Sequence, residues 1–261
     1  MKKKAFTLVE LLVVIAIIAL LLAILMPALQ KARALAKTIV CTAGCKSLST
    51  AWTMYASDND GKIVSAMTGY SDYSNHLSKS PLLCPNPWVD WAGYPSNSPD
   101  NKEKQIQAIQ QGSLYPYTPN PKAYRCPTSE RIELRCYSIP DFFGNSLING
   151  HVTMGGLEAL LTTLKIERPS ERIIFLDEGY VTYGGFTVYY NRAEWWDIPP
   201  TRHNNGITLG YADGHSGFVK WRDKRTIDLS QEKPGTSYSQ PGNEDLAMIQ
   251  KGIFGTFGYS P

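Results

Sequence analysis

The sequence predicts an α+β fold: a long N-terminal helix, able to span a membrane in its first half, packed by its second half on an antiparallel β-sheet head. Three observations carry this expectation. Residues 11–29 form an apolar run without a single charge. Apolar residues then recur at a helical period until Asp58-Asn59-Asp60-Gly61, a strong stop. Beyond that point the composition changes: all 15 tyrosines lie after residue 51, and of 17 prolines only Pro27 precedes residue 81. Turns, short strands and short helices are the elements such a segment can form.

The nineteen residues 11–29 span roughly 28 Å as a helix, enough to cross a bilayer core. Lys2, Lys3 and Lys4 precede them, which puts the N-terminus in the cytoplasm and the rest across the membrane. These lysines account for the whole net charge of +3, so the chain beyond residue 5 is neutral. That excludes a basic face of the kind that grips nucleic acid. One helix is expected from Phe6 to Ser57. In its second half Ala32, Leu35, Ala36, Ile39, Val40, Ala43, Leu48, Ala51, Trp52 and Tyr55 recur near a 3.6-residue period, which makes it amphipathic. Ile39, Leu48 and Trp52 should pack on the sheet. Pro27 removes a backbone hydrogen bond and predicts a kink or a locally melted turn. Gly61 is the natural left-handed cap.

Residues 62–100 read as loop. A short helix is expected over Asn101–Gln111, capped by Asp100 and stopped by Gly112, and another over Leu157–Leu164. Ile173–Leu176 and Val181–Tyr190 read as strands. Ile207–Tyr211 and Gly217–Trp221 flank Asp213-Gly214, a two-residue hairpin signal. The tail after Asp228 is polar and has no assigned structure. The five cysteines match no zinc spacing, since no Cys-x-x-Cys is present. Cys126–Cys136 and Cys84–Cys126 are candidate disulfides if the head is exported, while Cys41 and Cys45, four apart on a helix, suit packing.

Residues 2–12, KKKAFTLVELL, resemble the leader and mature start of a type IV prepilin or pseudopilin. The resemblance implies cleavage by a prepilin peptidase between Ala5 and Phe6 and N-methylation of Phe6. Glu10 is then the fifth mature residue and Pro27 the twenty-second, both at pilin offsets. Ala5 stands where the family usually has Gly, a small residue in either case. A carboxylate such as Glu10 in an apolar helix costs a few kcal/mol in lipid and calls for a function or a partner. In pilins that partner is thought to be the N-terminal ammonium of a neighbouring subunit, which also sets axial register. A plain anchor or a signal peptide cut near Ala32-Arg33-Ala34 does not account for Phe6, Glu10 and Pro27 at these positions. The expected division is a leader (1–5), a transmembrane half-helix (6–30), an amphipathic half-helix (31–58) and the head (59–261).

A second resemblance lies at the other end. His203 through Asp213-Gly214 matches the H-x9-D-G motif of a large pseudopilin-like family. Cys41, Trp52 to Gly61, Tyr115-Pro116-Tyr117, Tyr124-Arg125-Cys126-Pro127 and Arg168 to Asp177 support it. The bland expectation makes Asp213-Gly214 a turn and His203 a hydrogen-bonded structural residue. The sharper one is a metal or catalytic site of His203, Asp213 and His215 with Asp177, a donor set suited to zinc. Asp58 to Gly61 also invites calcium, but Lys62 occupies a ligand position and a capped helix end explains it better. Lacking G-x-S-x-G, H-E-x-x-H and a phosphate loop, the chain is expected to be no enzyme and to need no cofactor.

Together these features predict a filament subunit in a single-pass inner-membrane state, a pseudopilin or minor pilin of a type II secretion or pilus-like system. Its implied partners are copies of itself, other pseudopilins, the prepilin peptidase, an inner-membrane assembly platform with its ATPase, and membrane lipid, with no nucleic acid. A membrane-tethered metal-dependent enzyme and a surface module binding glycan or protein are the competing expectations.

Overall fold

The computed structural model describes residues 8–68, 86–90, 102–129, 133–144, 157–179, 184–230, 232 and 237–260. Helix α1 spans Leu8–Asp58, 51 residues or roughly 77 Å. It is followed by α2 (Lys102–Gln111), β1 (Tyr137–Ser138), β2 (Ile173–Asp177), β3 (Glu194–Trp195), β4 (Gly206–Tyr211), β5 (Ser216–Lys220), α3 (Lys224–Leu229), β6 (Tyr238–Ser239) and α4 (Glu244–Phe254). The main sheet has the order β1-β2-β4-β5, antiparallel throughout, and β3 pairs with β6 separately. The fold is therefore α+β, with a long apolar helix at its N-terminus.

α1 changes character at Cys41. From residue 8 to residue 37 every position is exposed, and Ile39 and Val40 are as well. Cys41, Cys45, Leu48, Ser49, Ala51, Trp52, Tyr55 and Ala56 are buried, at the three- and four-residue spacings of one helix face. This face lies on β2, β4 and β5 and on the 3₁₀ turn Pro121–Tyr124. The expectation for Leu48 and Trp52 holds. Ile39 does not pack on the head, because at 3.6 residues per turn it sits roughly half a turn round the helix from Leu48, on the side away from the sheet. The helix continues through Pro27 as regular helix, so no melted turn occurs there. It ends as expected: Asp60 and Gly61 both take positive φ, and Gly61 N–H reaches back to Ala56 O at 2.8 Å.

Helix and sheet approach closely at Gly210. A Cβ there would lie 2.1 Å from Ser49 Oγ and 3.1 Å from Cys45 Sγ. On the other face α4 packs on β2, where a Cβ on Gly252 would sit 2.3 Å from Ile173 Cδ1. A bulge between Ile173 and Phe175 switches faces within β2. Ile173 thus meets α4, while Phe175 turns toward Gly210 and packs edge-on against Trp88. The head is a three-layer stack of α1, sheet and α4.

Several local expectations are corrected. Residues 157–162 form isolated bridges to Lys62 and Phe143 instead of a helix, and only Thr163–Lys165 coils, as a 3₁₀ turn. The Leu157/Leu160/Leu161/Leu164 stripe mimicked a helix because Leu164, 86% exposed, needs no core. The strand expected over Val181–Tyr190 is reduced to single bridges at Phe186 and Val188, with 181–183 outside the described residues. The hairpin loop has three residues, Ala212 to Gly214, closed by Tyr211 N–H to His215 O at 2.9 Å, with Gly214 at φ +89°. The polar tail holds β6 and α4, the latter capped by Asn243 and ended by left-handed Gly255. Cys41, Cys45, Cys126 and Cys136 are free thiols, so Cys126 pairs with neither candidate partner; Cys84 lies outside the described residues, as does the Asp100 cap.

Glu178, one residue past β2, is 1% exposed and accepts the Ser138 hydroxyl. Its Oε1 has no hydrogen-bond partner among the described residues. Burial pushes its pKa up to about 7, with Arg135 pulling the other way.

Two expectations follow from this packing. Gly210→Ala should destabilise the full-length protein by about 2–3 kcal/mol, Ser49→Ala should be near neutral, and the double variant should recover at least about 1 kcal/mol in thermal unfolding. The folded head keeps a proton on Glu178 that the unfolded chain releases near its ordinary value of 4.5. Stability should therefore fall as pH rises from about 4.5 through 7, on the order of 3 kcal/mol, and Glu178→Gln should flatten that slope.

Candidate functional site

Two regions carry the residues singled out from sequence. In the first, Glu10 lies in the opening turns of α1 and Pro27 near its middle, both exposed on the half of the helix that precedes its buried face. Ala5 and Phe6 lie outside the described residues.

The second region is the H-x9-D-G segment, and it splits in two. Asp213, Gly214 and His215 form the tip of the β4–β5 hairpin. Asp213 Oδ1 accepts from His215 N–H at 3.1 Å and from His215 Nδ1 at 2.5 Å, and the His215 ring stacks on Tyr211 at 4.1 Å. Both side chains are about a third to a half exposed. His203 is on the far end of β4, with a fully buried side chain. Asp213 and His215 therefore do not join His203, and the site expected from those three residues does not form. The nine-residue spacing measures the length of β4: one motif residue sits before the strand and the others after it.

His203 is aimed inward by an unusual backbone. His203, Asn204 and Asn205 all have positive φ, between 54° and 65°. The three are clamped by a reciprocal pair of hydrogen bonds between Arg202 and Gly206 at 3.1 and 2.8 Å. Successive left-handed non-glycine residues store strain of order 1 kcal/mol or more each, a feature associated with functional sites. A strand-to-loop reversal in three residues is what this conformation achieves.

The ring enters a buried cluster that the sequence did not reveal. Nε2 of His203 is 3.2 Å from Cys126 Sγ and 3.8 Å from Asp177 Oδ2. Cys41 Sγ lies 3.9 Å from the same Asp177 Oδ2. One ligand atom from each of Cys41, Cys126, Asp177 and His203 falls within 4.8 Å of every other. Four separate elements supply them: the turn of α1 where burial begins, the chain after the Pro121–Tyr124 turn, the end of β2 and the loop before β4.

Polar neighbours surround the cluster. Tyr137 OH donates to Cys41 O at 2.9 Å and contacts Cys41 Sγ at 2.8 Å, and Thr208 Oγ1 lies 3.4 Å from that sulfur. Thr128 Oγ1 is 2.9 Å from Cys126 Sγ. Arg202 pairs with Asp177 through Oδ1, leaving Oδ2 for the interior. Burial works against the Arg202 charge, and Asp177 together with Cys136, Cys126 and Cys41 more than offsets it. Burial pushes the Cys41 thiol up, whereas the hydrogen bond from Cys41, helped by His203 and Thr128, outweighs desolvation and pulls Cys126 down to about 3. The cluster thus favours a thiolate on Cys126. Asp177 and His203 were named from sequence. Cys41 stood out only as a packing residue and part of a resemblance, and Cys126 only as a candidate disulfide partner and part of the same resemblance; the 84 positions between them left no local spacing that could have joined them.

Residues 1–26 match the family model described as the prokaryotic N-terminal methylation motif. The chain carries a prepilin-type methylation motif. The match spans Ala5, Phe6, Glu10 and most of the apolar run. With one helix among the described residues long and apolar enough to cross a membrane, it supports a type IV pilin-like, membrane-anchored single-pass chain processed by prepilin peptidase. No curated protein and no solved structure matches the chain.

The split motif has a measurable consequence. Asp213→Ala and His215→Ala should each change stability by no more than about 1 kcal/mol, since their contacts are exposed. His203→Ala should lose about 2–4 kcal/mol in the same thermal unfolding series.

Proposed function

We propose that this chain is a structural subunit, a pseudopilin or minor pilin, of a type II secretion or type IV pilus-like filament. Prepilin peptidase cuts between Ala5 and Phe6 and methylates the Phe6 amine. Until assembly the subunit waits in the inner membrane, its N-terminus toward the cytoplasm and its head on the other side. It then polymerises through the exposed half of α1 with copies of itself and with other pseudopilins.

The observation that carries this proposal is the form of α1. One continuous helix bears the methylation motif at one end, leaves Leu8 to Val40 exposed apart from half-buried Thr38, and has its buried residues only between Cys41 and Ala56. A plain anchor needs about 20 apolar residues and no rigid extension. A helix that runs on from the bilayer into the core of the head fixes the head relative to the apolar stem, which a helical filament requires. Leu11, Ile15, Ile18, Leu22 and Leu25 are all exposed, and lipid or neighbouring stems would cover them. Glu10 pairs with the Phe6 ammonium of the next subunit, which neutralises both charges in a medium of low dielectric and fixes axial register. A non-catalytic role is favoured by the separation of His203 from the Asp213–His215 pair, which leaves no accessible site with all three.

Mass spectrometry of the mature protein should find a methylated Phe6 terminus, and an intact Met1 would overturn the proposal. Glu10→Ala and Glu10→Leu should leave head unfolding unchanged while filament incorporation drops at least about tenfold, scored by shearing or crosslinking. Assembly of both variants at the wild-type level would exclude the role given to Glu10.

A further inference from the structure

We propose that Cys41, Cys126, Asp177 and His203 form a structural zinc site that locks the long helix to the head. A disulfide would account for the two sulfurs alone. It leaves unexplained why His203 is turned inward through three left-handed residues and why Asp177 Oδ2 faces the same point. A tetrahedral divalent ion accounts for all four.

The geometry fits in size. Zinc bound at about 2.3 Å to sulfur and about 2.0–2.2 Å to nitrogen and oxygen gives tetrahedral edges of roughly 3.3–3.8 Å. The observed edges of 3.2, 3.8 and 3.9 Å, with every pair inside 4.8 Å, need only side-chain adjustments of a few tenths of an ångström to close. The donor set, two sulfurs with imidazole and a carboxylate, favours zinc over hard cations such as calcium. The surroundings are those of ligands held for a metal. Tyr137 and Thr208 lie against the Cys41 sulfur, Thr128 against Cys126, and Arg202 takes the second oxygen of Asp177. The charges close as well: two thiolates, one carboxylate, a neutral imidazole, Zn²⁺ and the Arg202 guanidinium sum to zero in a buried volume. Binding releases the thiol protons to solvent and involves no change of oxidation state.

Full-length untagged protein, purified in detergent without chelators, is assayed for metal by plasma mass spectrometry and for disulfides by peptide mapping after thiol alkylation. The expected result is about one zinc per chain, alkylatable Cys41 and Cys126 after chelation, and a melting temperature that falls on chelation and returns with added Zn²⁺. Cobalt substitution should give thiolate-to-metal absorption. Tyr137→Phe, which keeps all four ligands, should weaken zinc affinity about tenfold or more, and Asp213→Ala and His215→Ala should leave it unchanged. A Cys41–Cys126 disulfide, or metal-free chain whose melting does not respond to Zn²⁺, would overturn the proposal. Neither result bears on processing at Phe6, which is read from the N-terminus independently.

Discussion

The head depends on one constraint: the last five turns of α1 must approach the sheet closely enough for Ser49 to touch the backbone at Gly210. A helix normally stands off a sheet by the thickness of two side chains. Here glycine on the strand and Cys45, Ser49 and Ala51-sized residues on the helix remove much of that thickness. Trp52 and Leu48, fully buried, fill the wider space on either side. Because α1 is one rigid rod, whatever fixes Cys41 to Ala56 also fixes the direction in which the exposed apolar stem leaves the head.

Polar residues at the start of this contact have a different task from the apolar ones behind them. Tyr137, Asp177 and Thr208 all point toward Cys41, on the sheet face that α1 covers. Their hydrogen bonds, together with Ser216 Oγ donating to Thr42 O at 3.0 Å, define where along the helix the head begins. Apolar burial alone tolerates sliding by a turn, since leucine and alanine recur along the whole rod. Directional contacts to a single cysteine do not. The point where the stem becomes the head is thereby set chemically and not only by shape.

The ends of β4 show how far local sequence could be followed. The Asp213-Gly214 turn was legible because glycine at positive φ after an aspartate is a local signal. Its loop is one residue longer than the two-residue form because the type I turn needs a left-handed residue to close. The helix expected at Leu157 failed for the opposite reason: leucines at helical spacing carry no information about whether a core is present beside them, and Leu164 has none. α4 was overlooked although Asn243, Leu246, Ile249, Ile253 and Gly255 form a capped amphipathic helix, since the polar residues around it masked an eleven-residue signal.

By itself the sequence determined the long helix apolar enough to cross a membrane, its basic flank, the methylation motif, the stop at Gly61 and the hairpin at Gly214. All of these rest on residues close together in the chain, where helix period, charge and φ preference act directly. Only the tertiary structure decided that Ile39 stays outside and Cys41 inside. It alone separated His203 from Asp213 and brought His203 to Cys41, Cys126 and Asp177. Those four lie on elements as far apart as 162 positions, and no local preference encodes which of them will share a buried point. That is set by strand order, by the bulge in β2 and by the depth at which α1 seats on the sheet.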